Sequence, residues 1–382
     1  MDPAVEAVMQ PYMSTWFGNA SSLHRWGKRA RKALMEARET LANVLGGPPE
    51  AWVFTSGGTE ADNLAVLGVA MAQQQQDPMR KHIVVSAIEH SAVRNPARWL
   101  AQQGWQVTFL PVNGEGVVSV DDVAAALTPH TALVSVMHAN NEVGSIQPIA
   151  EIAAMLRARG GEVPFHTDAV QTVGKLPVHV ADLGVDYLSL SAHKFYGPKG
   201  VGALYVRPGA LAPQPLFYGG GHEAGLRAGT ENVAGIVGLA AALKLAIDGL
   251  PEESARLRQL QAQWLDQLPR RVPVAQCNGP SQPMQRVPGN LNFSFPPIEG
   301  ESLVLSLDLK GIAVSSGSAC HSGKIDPSHV LLAMGKSTQV ARSTVRFSLG
   351  KHTRPADLDR VLDVLPGIVE RLGGRQRMAT SF

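Results

Sequence analysis

The stretch Tyr187 to Tyr205, YLSLSAHKFYGPKGVGALY, decides how this chain is read, with Lys194 at its centre. Apolar and β-branched residues on both sides have the pattern of two strands, and SAHKFYGPKG between them has the polar and glycine content of a functional turn. A lysine held there reacts with aldehydes once it is partly desolvated, because burial lowers the cost of the neutral, nucleophilic amine. Ser191 and His193 beside it offer phosphate ligands. The combination suggests a pyridoxal phosphate Schiff base, in which the protein orients and the cofactor acts as electron sink. The same residues also suit an ordinary surface turn, so the choice rests on the rest of the chain.

With 382 residues and 45% hydrophobic content, the chain is long enough to bury a large core in one α/β unit with an appendage or in two domains. Lys and Arg number 34 against 32 Asp and Glu, a formal charge of +2 with no block of like charges to follow a phosphate backbone. Nucleic acid is therefore not expected as a partner. The first residues, MDPAVEAVMQPYMST, lack a basic start and a continuous apolar run, and no later window reaches the length of a membrane span, so a cytoplasmic protein is expected. Cys277 and Cys320 are the only cysteines, too few for a disulfide framework and without metal-ligand spacing. No metal is expected.

Working outward from Lys194, strand-like runs each end in a polar cluster. Leu23, Trp26, Ala30, Ala33, Leu34, Ala37, Leu41 and Val44 have helical spacing over Ser21 to Leu45, and Gly46-Gly47-Pro48-Pro49 stops that helix. Ala51 to Phe54 reads as a strand entering TSGGTEADN, where Gly57, Gly58 and Thr59 open a helix from Glu60 to Ala72 and are placed to approach a phosphate. A plain turn explains the same glycines. Gln73 to Gln76 reads as an exposed polar loop. The strand Ile83 to Ser86 leads to Glu89 and His90, a ligand position or a structural histidine. Leu133 to Met137 leads to Asn140, Asn141 and Glu142, which turn chemistry also explains. Pro164 to Thr167 leads to Asp168 and Gln171. Asp168 suits a carboxylate that keeps a pyridinium nitrogen protonated, or equally a helix cap. Repetition of strand, polar loop and helix from Ala51 to Val206 predicts a mostly parallel sheet with helices on both faces.

After the glycine-rich FYGGGHEAGLRAGTEN (217–232) and a helix from Val233 to Ile247, Gly249-Leu250-Pro251 marks a boundary. A large domain is expected over 1–249, with 1–20 as an N-terminal arm, and a compact α+β domain over 250–382. In the latter, Asn290 to Phe295, Ile312 to Ser315 and Thr344 to Ser348 read as strands, and Glu252 to Leu268, Glu301 to Leu307 and Pro355 to Leu365 as helices. Cys320 lies in SSGSACHSG, whose small and hydroxyl residues predict an exposed, mobile loop over 315–325. A cysteine displayed there suits a nucleophile, whereas Cys277, beside apolar Val274 and a turn, reads as structural. Arg342 and Arg346 flank the strand at 344–348 and offer bidentate recognition of a carboxylate.

The motifs FTSGGTEADN, Glu89-His90, HANNEVG, HTDAVQTVGK, SAHKFYGPKG, GGGHEAGLRAGTEN, SSGSACHSG and VRFSLG, in this order, resemble the cysteine desulfurases of the NifS/IscS type, within the class V aminotransferases of fold type I. The resemblance spans nearly the whole chain. It implies that Lys194 carries pyridoxal 5'-phosphate, Asp168 pairs with the pyridine nitrogen, Gln171 bonds the phenolic oxygen and His90 stacks on the ring. Phosphate contacts would come from Gly58, Thr59, Ser191 and His193, with Thr230 reaching across from a second subunit of a homodimer. Asn141 and Arg346 would hold the carboxylate of L-cysteine, Cys320 would accept its sulfur, and a sulfur-acceptor protein would follow. The reaction implied is conversion of L-cysteine to L-alanine with a persulfide left on the enzyme, supplying iron–sulfur cluster or other sulfur-containing cofactor biosynthesis. A class V aminotransferase or selenocysteine lyase on the same fold is the alternative, distinguished by the cysteine loop.

Three places depart from the family's pattern. Its first strand and Ala-Thr-Thr segment have no counterpart here, since the sequence starts at Met1-Asp2-Pro3. Ala224 stands where the family commonly has arginine, and the ending RQRMATSF is shorter than the tail with which some relatives grip an iron–sulfur scaffold.

Overall fold

The computed structural model describes residues 1–316 and 326–379, with side chains described to residue 374. The chain packs as two compact units. The first comprises Met1–Leu110, Val118–His138 and Gln147–Leu250; the second comprises Pro111–Val117, Ala139–Ile146 and Pro251–Phe382.

Among the described residues of the first unit, seven strands form one sheet: β1 (Trp52–Thr55), β2 (His82–Ser86), β3 (Gln106–Leu110), β4 (Thr131–Ser135), β5 (Phe165–Asp168), β6 (Tyr187–Ser191) and β7 (Gly202–Val206). Their order is β1-β7-β6-β5-β4-β2-β3. The pairs β2/β3, β2/β4, β4/β5 and β5/β6 are parallel, while β7 runs against both β6 and β1. The expected mostly parallel sheet is thus present, and β1 runs in the same sense as β6. Every residue of β2, β4 and β6 is buried, as befits strands covered by helices on both faces. On one face Ile83, Val85, Leu133 and Leu204 pack with Leu64, Val69, Val93 and Leu100 from the helical segments after β1 and β2. The hairpin β6–β7 realises the two strands read around Lys194, with register Ser191 opposite Gly202.

The second unit carries an antiparallel sheet of β8 (Gln276–Cys277), β9 (Asn290–Ser294), β10 (Ser315–Ser316) and β11 (Thr344–Ser348), in the order β10-β11-β9-β8. Trp264, Phe293, Phe295, Val345, Leu362 and Leu365 form its core, packed between the sheet and the helices Leu250–Arg271 and Pro355–Ala379.

Several local expectations are corrected. The glutamine run is the last turn of the helix Val69–Gln76, with Gln73 buried; glutamine is a good helix former, and polarity alone does not end a helix. Leu23 precedes its helix and is exposed, because His24 caps the start by accepting the Gly27 N–H at Nδ1 (3.2 Å). The strand expected at Ile312 to Ser315 is reduced to Ser315–Ser316, since Ile312 and Val314 pack against the core instead of pairing. The last helix runs through Pro366 to Ala379, with Leu362, Leu365 and Ile368 buried along it. The remainder of the cysteine loop, Cys320 included, lies outside the described residues.

Gly202 has a steric duty at the β6–β7 turn. A Cβ there would fall 2.6 Å from both the Gly57 carbonyl carbon and the Leu190 oxygen. Its bareness therefore lets the loop after β1 lie against the hairpin that carries Lys194. Gly202→Ala should lower stability by about 1–3 kcal/mol through forced displacement of this backbone. Urea unfolding of the variant beside the wild-type chain measures it, and an unchanged midpoint would refute the close-approach account.

Candidate active site

Strand direction assembles the site. Because β1, β2, β4, β5 and β6 run the same way, their carboxyl ends share one edge of the sheet, the usual ligand position in open α/β folds. Gly57 and Gly58 follow β1, Glu89 and His90 follow β2, Asp168 ends β5, and Ser191 ends β6. Lys194 stands on a single 3-10 turn, Ala192–Phe195, and is half-buried.

Asp168 is buried, and its Oδ1 accepts the Val170 N–H at 2.9 Å. The bond closes a turn where the sequence suggests a helix cap, and it leaves the carboxylate buried. Burial raises its pKa, while the backbone hydrogen bond, His90 and Lys194 pull it back. Asp62, from the helix that starts at Gly58, has an oxygen within 4.8 Å of donor atoms on Asp168 and His90. Burial first, then the negative charge of Asp168, push the Asp62 carboxyl well up. Of two carboxylates this close, the one with cationic neighbours ionises and the other keeps its proton, so Asp168 is the anion. The trio has the spacing of a cation site, but a neutral Asp62 removes one anionic ligand from it.

The buried histidines around this pair are hydrogen-bonded, while Asp62 Oδ1 is buried without a hydrogen-bond partner. His166 bonds Ser135 Oγ at 2.8 Å and Ser189 Oγ at 3.0 Å, and burial lowers its pKa to about 3. His138 bonds Thr172 Oγ1 at 3.0 Å and is likewise held neutral by burial, near 4. His90 is exposed, and its Nδ1 accepts the Ala92 N–H at 3.2 Å, so the neutral ring carries its proton on Nε2. That leaves the imidazole fixed at one edge and open at the other.

A second cluster forms at the glycine turn. Ser191 Oγ bonds His193 Nδ1 at 2.9 Å, and a Cβ at Gly58 would sit 3.3 Å from Ser191 Cβ and 2.7 Å from Val170 Cγ2. The helix beginning at Gly58 has no side-chain cap bond, so its first N–H groups point at this spot. Glu60 accepts the Ser56 N–H at 2.8 Å and pairs with Arg227 Nε at 3.0 Å, which ties the glycine-rich segment to the turn. Thr59 and Thr230 are exposed, and Gln171 is half-buried in the turn after β5.

Asn141 and Arg346 come together in the second unit. Arg346 Nη1 donates to the Asn141 carbonyl at 2.8 Å and Nη2 lies 3.4 Å from Ser315 Oγ, while Nε is buried without a partner. Arg342 ends the short helix Thr338–Arg342 and does not join this cluster through any described hydrogen bond. Sequence reading passed over Asp62, whose only signal was an acid amid the apolar Ala61, Leu64 and Ala65. It also passed over Ser328, which donates to Glu142 Oε2 at 2.5 Å.

Lys194, Asp168 and His90 thus stand at the strand ends of one mostly parallel sheet. The sequence matches the aminotransferase class-V family over residues 1–361, and the chain belongs to that family. A "Cysteine desulfurase IscS" of Dictyoglomus turgidum is 48% identical over 368 residues, covering 96% of this chain and 91% of the relative. A solved "NIFS-LIKE PROTEIN" superposes with a TM-score of 0.89 at 36% identity, covering 97% of each chain. The structure titled "SspA in complex with cysteine" gives 0.79 at 36% identity, covering 91% of this chain and 95% of that one. The family implies a pyridoxal phosphate-dependent enzyme. Among the described residues no single helix is long and apolar enough to cross a membrane.

Glu89 provides a test of the buried polar layer. Its Oε1 accepts from Ser86 Oγ at 2.6 Å and the Met137 N–H at 2.7 Å, and burial pushes its pKa up to about 8. The folded chain keeps a proton that the unfolded chain releases, so stability falls as pH rises from about 4.5 to about 8. Glu89→Gln keeps an acceptor for Met137 and has no such proton to lose. The gap between its urea midpoints at about pH 5 and about pH 8 should be narrower than in the wild-type chain.

Proposed function

We propose that this chain is a pyridoxal phosphate-dependent cysteine desulfurase, which converts L-cysteine to L-alanine and leaves the sulfur as a persulfide on Cys320. The observation that carries this reading is buried, anionic Asp168 beside Lys194 and His90, with the Gly58 turn and the Ser191–His193 pair next to them. These residues fit the cofactor. A free helix N-terminus, a hydroxyl and an imidazole suit its phosphate, and a buried carboxylate suits its pyridinium. Lys194 would hold it covalently, with Gly58, Thr59, Ser191 and His193 on the phosphate, Gln171 on the phenolic oxygen and His90 over the ring. When bound there, pyridoxal phosphate supplies a sink for the electron pair freed at the substrate α-carbon.

The chain's own residues do the rest. Arg346 and Asn141 hold the substrate carboxylate, for which the unpartnered Nε of Arg346 is an available donor. Lys194 Nζ takes the α-proton. Cys320, outside the described residues, attacks the substrate sulfur as thiolate: an S–S bond forms as the carbon–sulfur bond breaks, the bond's electron pair stays with the substrate β-carbon, and a proton taken up there completes the methyl group of alanine. The net change is L-cysteine plus enzyme thiol to L-alanine plus enzyme persulfide. The names of the relatives favour this reaction over transamination or selenocysteine cleavage.

We place the enzyme in the cytoplasm, where a thiol and its persulfide persist, and assign its sulfur to an acceptor protein of iron–sulfur cluster or other sulfur-cofactor assembly. A homodimer accompanies this reading. Thr230 is exposed and would reach a second subunit's phosphate, and Phe17, Leu23, Phe217 and Tyr218 leave large apolar surface that a second copy would cover.

Absorption spectra with alanine and sulfide assays provide the test. Lys194→Ala should lose the cofactor's visible band and both products. Cys320→Ala should keep the band yet form alanine and sulfide about 100-fold or more slowly. Full alanine production by Cys320→Ala would overturn the persulfide route.

A further inference from the structure

Glu142 has no part in the chemistry above, yet it is buried in the second unit next to the residues assigned to the substrate carboxylate. Its backbone is fixed first. Asn140 Oδ1 accepts the N–H groups of Glu142 (2.8 Å) and Val143 (2.9 Å), and the Glu142 carbonyl accepts from Asn292 Nδ2 on β9 at 3.2 Å. Its side chain is fixed next, by Ser328 Oγ at 2.5 Å, and Ser328 in turn caps the helix His329–Ala333 by accepting the Leu331 N–H at 3.2 Å. Arg346, from β11, acts electrostatically on Glu142, while its own donors go to Asn141 and Ser315 and leave Nε over.

Charge counting gives this arrangement a consequence. One guanidinium is in balance with one carboxylate. A substrate carboxylate on Arg346 Nε would put a second anion beside the same cation, away from water, where like charges repel strongly. We propose that Glu142 is a proton-coupled positioning residue, which takes up one proton from solvent as the carboxylate of an amino-acid substrate docks on Arg346. This rests on the reading of Arg346 given above. The carboxylate of Glu142 becomes a carboxylic acid, no other bond changes, and release of the product returns the proton.

The free carboxyl stands where such a switch is easy. Burial raises its pKa to about 7, against the lowering effect of Ser328 and Arg346. Arg346 is the charged group acting on it, and the polar groups facing it from the neighbouring elements are Ser328 and Asn292. The sign follows: below about 7 the proton is already in place and the carboxylate binds fully, and above it each pH unit weakens binding about tenfold.

The probe is 3-mercaptopropionate, cysteine without its amine, which cannot form a Schiff base with the cofactor. Its binding to the holoenzyme is measured by calorimetry in two buffers of different ionisation enthalpy, between about pH 6 and pH 8. The wild-type chain should take up about half a proton or more per site near pH 7.5 and bind more weakly as pH rises. Glu142→Gln, neutral at every pH, should take up none and bind about tenfold more tightly than wild type at about pH 8. Ser328→Ala removes a group that holds the pKa down, so its pH dependence should move to higher pH; this variant decides the matter if Glu142→Gln does not fold. Proton uptake persisting in Glu142→Gln, or an unmoved profile in Ser328→Ala, would overturn the proposal. Arg346→Ala separates the two levels. If it binds the probe as wild type does, or if the wild-type chain does not bind it, the assignment of Arg346 fails. If it loses the probe while Glu142→Gln still takes up a proton, the proton coupling alone fails.

Discussion

Asp168 is an anion buried at the end of a parallel strand, and the first unit is arranged around the cost of keeping it there. An isolated carboxylate in such a place would take a proton. Here the backbone N–H of Val170, His90 and Lys194 act against burial, while neighbouring Asp62 stays neutral. Every one of these groups depends on strand direction, because only parallel strands deliver the residues after β2, β5 and β6 to the same edge. The sheet and the electrostatics are thus one constraint. A pyridinium nitrogen placed against Asp168 would complete the balance that the protein's own cations begin.

The same physics operates in the second unit at smaller scale. Glu142 is buried and Arg346 half-buried, and both are fastened by neutral neighbours, Glu142 on the segment between β4 and β5 and Arg346 within β11 opposite Asn292. In the first unit an excess of acid is settled by protonating Asp62. In the second, one acid and one base stand in balance, and a second anion shifts it. Buried groups with this little margin respond to ligands by moving protons instead of atoms.

Much of the site was legible because its residues sit where apolar runs stop. Lys194 and His90 follow, and Asp168 ends, strands readable from their pattern, and Gly57 and Gly58 stand where a strand gives way to a helix. Asp62 escaped because helical periodicity gives it no distinction from any polar residue on a helix. Ser328 escaped because 186 positions separate it from Glu142 and its spacing in the sequence has no meaning. The glutamine run was misread for a related reason, since polarity stands in for exposure only when no neighbour covers the side chain, and Gln73 is covered.

The sequence by itself determined the element types, the mostly parallel sheet and the family, because apolar period, glycine placement and motif order are local properties that survive without coordinates. Tertiary structure alone decided which unit each motif joins: Ala139–Ile146 belongs with the second unit although β4 and β5 on either side of it belong to the first. It alone decided the protonation pattern, with Asp62 neutral and Asp168 anionic, and the tautomer of His90. Charge state follows from distance and solvent exclusion, and neither quantity is carried by any residue until the chain has folded around it.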